Sequence, residues 1–257
     1  MERTLYARPV EVVVPQRRPS RRSWAVPVGL VALGIVPMVA GALRIVELGG
    51  GPALTHNDPR FTATPLPVIV HVVSGVAFSV AGAFQVSSAV RRRWPKWHRT
   101  AGRVLLPTGL VAGVSALWLT VALPWAGDDG WTLYLLRLGF GAAMVGALVL
   151  GAVELGRRRY REHGAWMLRG YAIGAAAGTQ ALISLPVAIV AEAPTGLLRA
   201  ALLGAGWVIN LAVAEWVIQR RRSAGLGGGA GRRWWTPPDI HRARLGGGLG
   251  GEVSRRR

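Results

Sequence analysis

The chain has 257 residues, 51% of them hydrophobic, and 31 Lys+Arg stand against 12 Asp+Glu for a formal net charge of +19. A soluble nucleic-acid binder of that charge would not reach a mean hydropathy of +0.33, and a disordered basic chain would not be half apolar, so neither class fits. The absence of cysteine removes disulfide frameworks, thiolate nucleophiles and thiolate metal sites together.

Charge and hydrophobicity are reconciled when they occupy different segments: apolar helices crossing a bilayer, with basic residues between them. Roughly 30 Å of hydrocarbon at about 1.5 Å per residue asks for about 20 apolar residues. Six segments meet that demand, at about residues 25–46, 66–90, 104–126, 131–153, 169–191 and 197–218. The fourth contains Arg137, and the sixth carries Arg199 near one end and Glu215 near the other, positions from which a long side chain can snorkel to the interface. The expected architecture is therefore an all-α, polytopic transmembrane helical bundle over residues 24–218. A basic cytoplasmic arm (1–23) precedes it, and a disordered Gly/Arg-rich cytoplasmic tail (219–257) follows.

Basic residues alternate from connection to connection. Arg3, Arg8, Arg17, Arg18, Arg21 and Arg22 precede the first span, and the next connection holds only Arg60. Arg91, Arg92, Arg93, Lys96, Arg99 and Arg103 follow, then a link with Asp128 and Asp129 and no basic residue. Arg157, Arg158, Arg159, Arg161 and Arg169 come next, then an outer link with Glu192, then the basic tail. The positive-inside rule places both termini in the cytoplasm. Trp24, Trp94, Trp97, Trp166 and Trp216 mark the inner interface, and Trp125 and Trp131 the outer one. The first span has no convincing small-residue cleavage site and reads as uncleaved. With Arg as almost the whole basic complement and Ala, Gly and Val abundant, the expected home is a bacterial cytoplasmic (inner) membrane.

The two long inner connections resemble each other. One reads Arg91-Arg92-Arg93-Trp94, then His98 and Arg103; the other reads Arg157-Arg158-Arg159-Tyr160, then His163 and Arg169. Spans 2–3 and 4–5 are candidates for parallel repeats about an axis along the membrane normal.

Three histidines are placed to do chemistry. His98 and His163 stand at matching inner depth on different helices, and His71 lies in the first outer turns of span 2. Neutral imidazoles suit axial ligation of haem b iron or contact with a quinone. Equally, each ring can cooperate with neighbouring Arg in capping and phosphate contact. A two-haem carrier would need facing His pairs at two levels, and the outer level offers only His71. Apart from Glu162 no further ligand stands near, so no metal site is read.

The outer level holds a second constellation: Arg44, His71 and Arg137, with Arg199 and Glu47, at similar depth. They can line an outward pocket for an anion or lipid headgroup, or pair with the loop carboxylates. Gln85, Gln180 and Asn210 are the mid-membrane polar groups and serve as interhelical hydrogen-bonding glue. No acidic residue lies at the midplane, which weakens an ion-coupled transporter. No nucleotide loop, metalloprotease helix or hydrolase elbow occurs, so enzyme status stays open. The Arg clusters and tail suit the bilayer's anionic headgroups; the tail's Arg and Trp leave nucleic acid a weak competitor without a recognisable module.

Several short runs carry a family resemblance: Pro67 to His71 with Gly75 and Gly82-Ala83-Phe84-Gln85, then His98-Arg99 with Gly102-Arg103, then His163 with Trp166-Met167-Leu168-Arg169-Gly170-Tyr171-Ala172. Over about residues 65–186 the chain resembles the domain of unknown function 2306 family of predicted bacterial multi-span membrane proteins. The resemblance implies an integral membrane protein without an established activity and places His71, His98 and His163 in the family's motifs. Gly164 stands after His163 where relatives often have Arg. Two functional expectations result: a membrane protein interacting with haem or quinone, or a non-catalytic permease or membrane-assembly protein with an outward anion or lipid-headgroup pocket.

Overall fold

The computed structural model describes residues 22–54, 59–124, 130–190 and 194–230. The greater part of the basic arm, the tail beyond residue 230, and His56, Asp58, Asp128, Asp129, Glu192 and His241 lie outside them. Among the described residues every element is helical: α1 (Arg22–Leu48), α2 (Pro59–Ala63), α3 (Pro65–Gln85), α4 (Ser88–Arg93), α5 (Pro95–Ala122), α6 (Trp131–Gly156), α7 (Tyr160–Gly174), α8 (Ala176–Val190) and α9 (Gly196–Ala230). Cα packing separates a bundle ending at Glu215 from a second unit beginning at Trp216. In that second unit the Arg220 guanidinium stacks over the Trp216 ring, 4.0 Å from its centroid.

Proline starts several of these helices. Pro65 and Pro95 open α3 and α5 at the first helical position, where the missing N–H costs nothing and φ is already fixed. Ser87 begins α4, its hydroxyl accepting from the Val90 amide at 3.5 Å. That start cuts short the expected span 66–90: α3 stops at Gln85, and Arg91–Arg93 ride on a separate short helix.

Among the described residues five helices, α1, α3, α5, α6 and α9, are long and apolar enough to cross a membrane. α1 is apolar on every side, and Val26, Val28, Ile35, Val36 and Val39 stay exposed. A helix of that kind suits hydrocarbon rather than water as its surroundings. The expected fifth span, 169–191, differs from expectation. It is two helices, α7 and α8, interrupted at Ala175. The Ala175 amide closes the last turn of α7 on the Tyr171 carbonyl, and Gly178 reaches only three residues back, to Ala175. The last helix also departs from expectation: α9 runs through Arg220–Arg222 to Ala230, so residues 219–230 are helical rather than part of a disordered tail.

The core is small and sits where α3, α6 and α7 meet, around Phe78, Ala83, Met144, Leu148, Tyr171 and Ile173. Tyr171 donates its hydroxyl proton to the Ser79 carbonyl at 3.0 Å, and its ring lies 5.9 Å from that of Phe78. Glycine allows this closeness: a Cβ at Gly82 would run into the Tyr171 ring, and one at Gly109 would sit 2.5 Å from the Phe78 ring. α9 joins through stacked rings, Phe140 and Trp207, with centroids 4.8 Å apart.

Candidate ligand-binding cavity and the two histidine sites

A cavity of about 630 Å³ opens within the bundle at the end opposite the Arg triplets. That size lies inside the range of small-molecule pockets, about 300–1,000 Å³. Arginines from four elements line it: Arg44 near the end of α1, Arg60 on α2, Arg137 two turns into α6 and Arg199 in the first turn of α9. His71 lines it from α3, and the deeper walls are apolar, including Met38, Val72, Phe78 and Trp207. Among the described residues no acidic side chain lines this space.

The guanidiniums are tied to their surroundings. Arg44 pairs with Glu47 at 2.9 Å, with side chains 15% and 9% exposed, so this i, i+3 pair is largely shielded from water. Glu47 also accepts from the Leu54 amide at 2.7 Å, which pins the chain leaving α1. Arg60 donates to the Pro124 carbonyl at 2.9 Å and so holds α2 against the end of α5. Two cations meet the Phe61 ring, whose centroid is 5.2 Å from the Arg44 guanidinium and 5.6 Å from that of Arg60.

His71 is oriented from α5. Its Nδ1 lies 3.1 Å from the Ala112 carbonyl and 3.1 Å from Ser115 Oγ, and Ser115 donates its own proton to that carbonyl at 3.0 Å. Gln180, expected to act as glue, donates to the Leu203 carbonyl at 2.8 Å and also borders the cavity. Asn210 accepts from Thr179 Oγ1 at 2.7 Å and donates to the Ala172 carbonyl at 3.1 Å, one turn before the α7–α8 interruption.

At the other end, His98 and His163 occupy the same place in their helices. The His98 amide bonds the Trp94 carbonyl at 3.0 Å and the His163 amide bonds Arg159 at 2.9 Å, so each is the fourth residue of its helix. His163 Nδ1 donates to the Gly151 carbonyl at 2.8 Å, while His98 Nδ1 is buried without a partner. Among the described residues no three His, Asp or Glu side chains gather as metal ligands. Nearby, buried Glu154 accepts from Arg157 at 3.0 Å and faces Arg159 at 3.7 Å.

The structure thus brings Arg44, His71 and Arg137 around one space, adds Arg199, and sets His98 and His163 apart from it. Sequence reasoning missed the contribution of Arg60. The available signal was the isolated Arg60-Phe61 pair between Pro59 and Pro65, which confine it to one short helical turn. It also missed the pairing of Arg169 with Glu215, two charges near opposite ends of different segments in the sequence.

Fold and composition define an integral, polytopic helical membrane protein. Residues 68–218 match the family model described as predicted membrane protein DUF2306, domain of unknown function 2306, and the chain belongs to that family. The match runs from α3 into α9 and leaves α1 and α2, with Arg44 and Arg60, outside it. No curated protein and no solved structure is detectably similar to the chain.

Proposed function

We propose that the protein binds an anionic amphiphile in this cavity, as a non-catalytic permease or membrane-assembly protein would. The observation that carries the reading is the convergence of Arg44, Arg60, Arg137 and Arg199, from four separate elements, on one space with apolar inner walls. A guanidinium half-buried in low dielectric gains most from a carboxylate or phosphate that can take its donors two at a time. The apolar walls beneath suit a hydrocarbon tail. The protein sits in a bacterial cytoplasmic membrane with both termini inside, the cavity facing outward, and Arg91–Arg93 and Arg157–Arg159 against anionic headgroups, each basic side chain worth about 1 kcal/mol there.

Purified protein in neutral detergent tests this with myristate, lysophosphatidic acid, inorganic phosphate and myristyl alcohol. The two acidic amphiphiles are expected to bind at least tenfold more tightly than the alcohol, and Arg137→Gln with Arg199→Gln to abolish that difference. Equal binding of acid and alcohol would overturn the reading. Binding of inorganic phosphate as tight as that of the amphiphiles would assign the site to a free anion.

A second reading, haem b or quinone at His98 and His163 with His71 separate, draws support from His163. Its Nδ1 bond to the Gly151 carbonyl is the orienting bond that metal-ligating imidazoles use, and it leaves Nε2 for a ligand. A visible spectrum after haem-replete expression decides it: the haem version requires a Soret band that His98→Ala or His163→Ala removes.

A further inference from the structure

Two neighbours of His71, itself part of the cavity lining, fix which of its nitrogens carries the proton. Nδ1 faces the Ala112 carbonyl and Ser115 Oγ, both at 3.1 Å. A carbonyl oxygen only accepts, so a lone pair on Nδ1 would be repelled there and Nδ1 must carry the proton. In the neutral ring Nε2 then holds a lone pair, and no described group bonds it. A neutral imidazole with its donor already engaged presents an acceptor to the cavity.

Register sets where that acceptor lies relative to the arginines. His71 is six residues after Pro65 in α3, and Arg137 six after Trp131 in α6, which puts both about 9 Å from their helix ends. Arg199, three residues after Gly196, and Arg44, four before Leu48, lie within about 6 Å of theirs. An anionic group among the arginines therefore sits level with His71 or a few ångströms shallower. Two hydroxyls close by have spent their protons within the protein, Thr120 on the Ala116 carbonyl at 2.8 Å and Tyr171 on the Ser79 carbonyl at 3.0 Å.

We infer that the amphiphile carries a hydroxyl close to its anionic head, and that this hydroxyl donates to His71 Nε2. The ligand class is a hydroxylated acidic amphiphile, and His71 is the residue that selects the hydroxyl. The inference rests on the anionic-amphiphile reading above. It gives His71 a task that neither headgroup attraction nor helix packing requires. A site built around a bonded hydroxyl rejects the analogue lacking it, because the acceptor is then left desolvated and unpaired.

The test compares β-hydroxymyristate, myristate and myristyl alcohol on the full-length protein in neutral detergent. β-Hydroxymyristate is expected to bind about tenfold more tightly than myristate, and His71→Phe to erase that preference. A second measurement needs no functional variant: in ¹⁵N-histidine-labelled protein the His71 Nε2 resonance should move on adding β-hydroxymyristate and stay with myristate. His71→Phe serves there only to identify the signal. Equal affinity for the two acids, a preference that survives His71→Phe, or an unmoved Nε2 resonance each overturns the role of His71. If both acids outcompete the alcohol but equally, the His71 assignment alone falls. If neither does, the anionic reading falls and takes this one with it.

Discussion

Arg169 on α7 and Glu215 on α9 form a two-point ion pair, with Nε to Oε1 at 2.5 Å and Nη2 to Oε2 at 3.1 Å. The same guanidinium lies over the Trp166 ring, 4.5 Å from its centroid. The Arg169 side chain is 20% exposed and that of Glu215 39%, so the pair is partly sheltered. Glu215→Gln leaves a sheltered guanidinium without its counter-charge, which in a fully buried pair costs about 3–5 kcal/mol and in an exposed one less than about 1. The expected loss here is about 1–2 kcal/mol, read as a lower unfolding temperature in detergent. A double-mutant cycle with Arg169→Gln should return a coupling of about 1 kcal/mol, and zero coupling would show that the pair does not hold α7 to α9.

Asn210 has a more specific role because it sits beside the interruption of α7 and α8. It accepts from Thr179 and donates to the Ala172 carbonyl. Asn210→Leu removes both bonds, and interhelical hydrogen bonds in membranes average about 0.6 kcal/mol with a ceiling near about 1.7. The expected destabilisation is about 1–2 kcal/mol, and Thr179→Val should cost roughly half of it. If the two substitutions cost the same, the bond to Ala172 contributes nothing.

The all-helical, multi-span character of the chain was legible because hydropathy reports directly on the solvent each residue meets. The break at Ala175 was not. The run Ala172-Ile173-Gly174-Ala175-Ala176-Ala177-Gly178 is apolar and has no proline, its glycines look like those inside the other helices, and the bond that Asn210 makes to the Ala172 carbonyl comes from a different helix. The shared depth of Arg44, His71 and Arg137 could be counted from helix ends. That they border one space depends on which helices are neighbours, and no periodicity encodes that. The helical path of residues 219–230 was hidden by glycine content, which reads as flexible linker when only the sequence is weighed.

Arg158 offers a backbone test. It has φ of 60°, a left-handed conformation, just past the end of α6, and Arg159 closes the turn by bonding the Glu154 carbonyl at 2.9 Å. That position favours glycine, since a Cβ costs about 1 kcal/mol there. Arg158→Gly is expected to keep or raise stability by up to about 1 kcal/mol despite the lost charge, and the β-branched Arg158→Val to lower it. Thermal unfolding of both variants checks the sign, and a destabilised Arg158→Gly would contradict the strain.

Gly178 tests the wall that α1 contributes to the cavity. A Cβ there would collide with the backbone carbonyl of Leu33, so α1 and α8 touch main chain to main chain. Backbone cannot rotate away as a side chain does, so Gly178→Ala is expected to push the helices apart at about 1–3 kcal/mol. Gly146, with nothing within 4 Å of its would-be Cβ, is the matched control. Gly146→Ala should be neutral or stabilising by up to about 1 kcal/mol, because alanine is the better helix former. Because α1 carries Arg44 and Met38 to the cavity, Gly178→Ala should also weaken myristate binding, whereas Gly146→Ala leaves it unchanged.

Glu47 separates stability from binding. It shields Arg44 and holds the Leu54 amide, so Glu47→Gln, which keeps a carbonyl oxygen for that amide but loses the charge, should lower stability by about 1 kcal/mol. The same change leaves the cavity one unit more positive and releases Arg44 from its internal counter-ion. If the cavity takes an anion, the affinity for myristate should rise about threefold to tenfold while that for myristyl alcohol stays constant, and the gain should shrink as salt is added. A variant that is less stable yet binds more tightly is hard to obtain from a residue that only supports the fold. A fall in myristate affinity would instead make Glu47 the residue that aims Arg44, and parallel changes for acid and alcohol would remove charge from the account of binding.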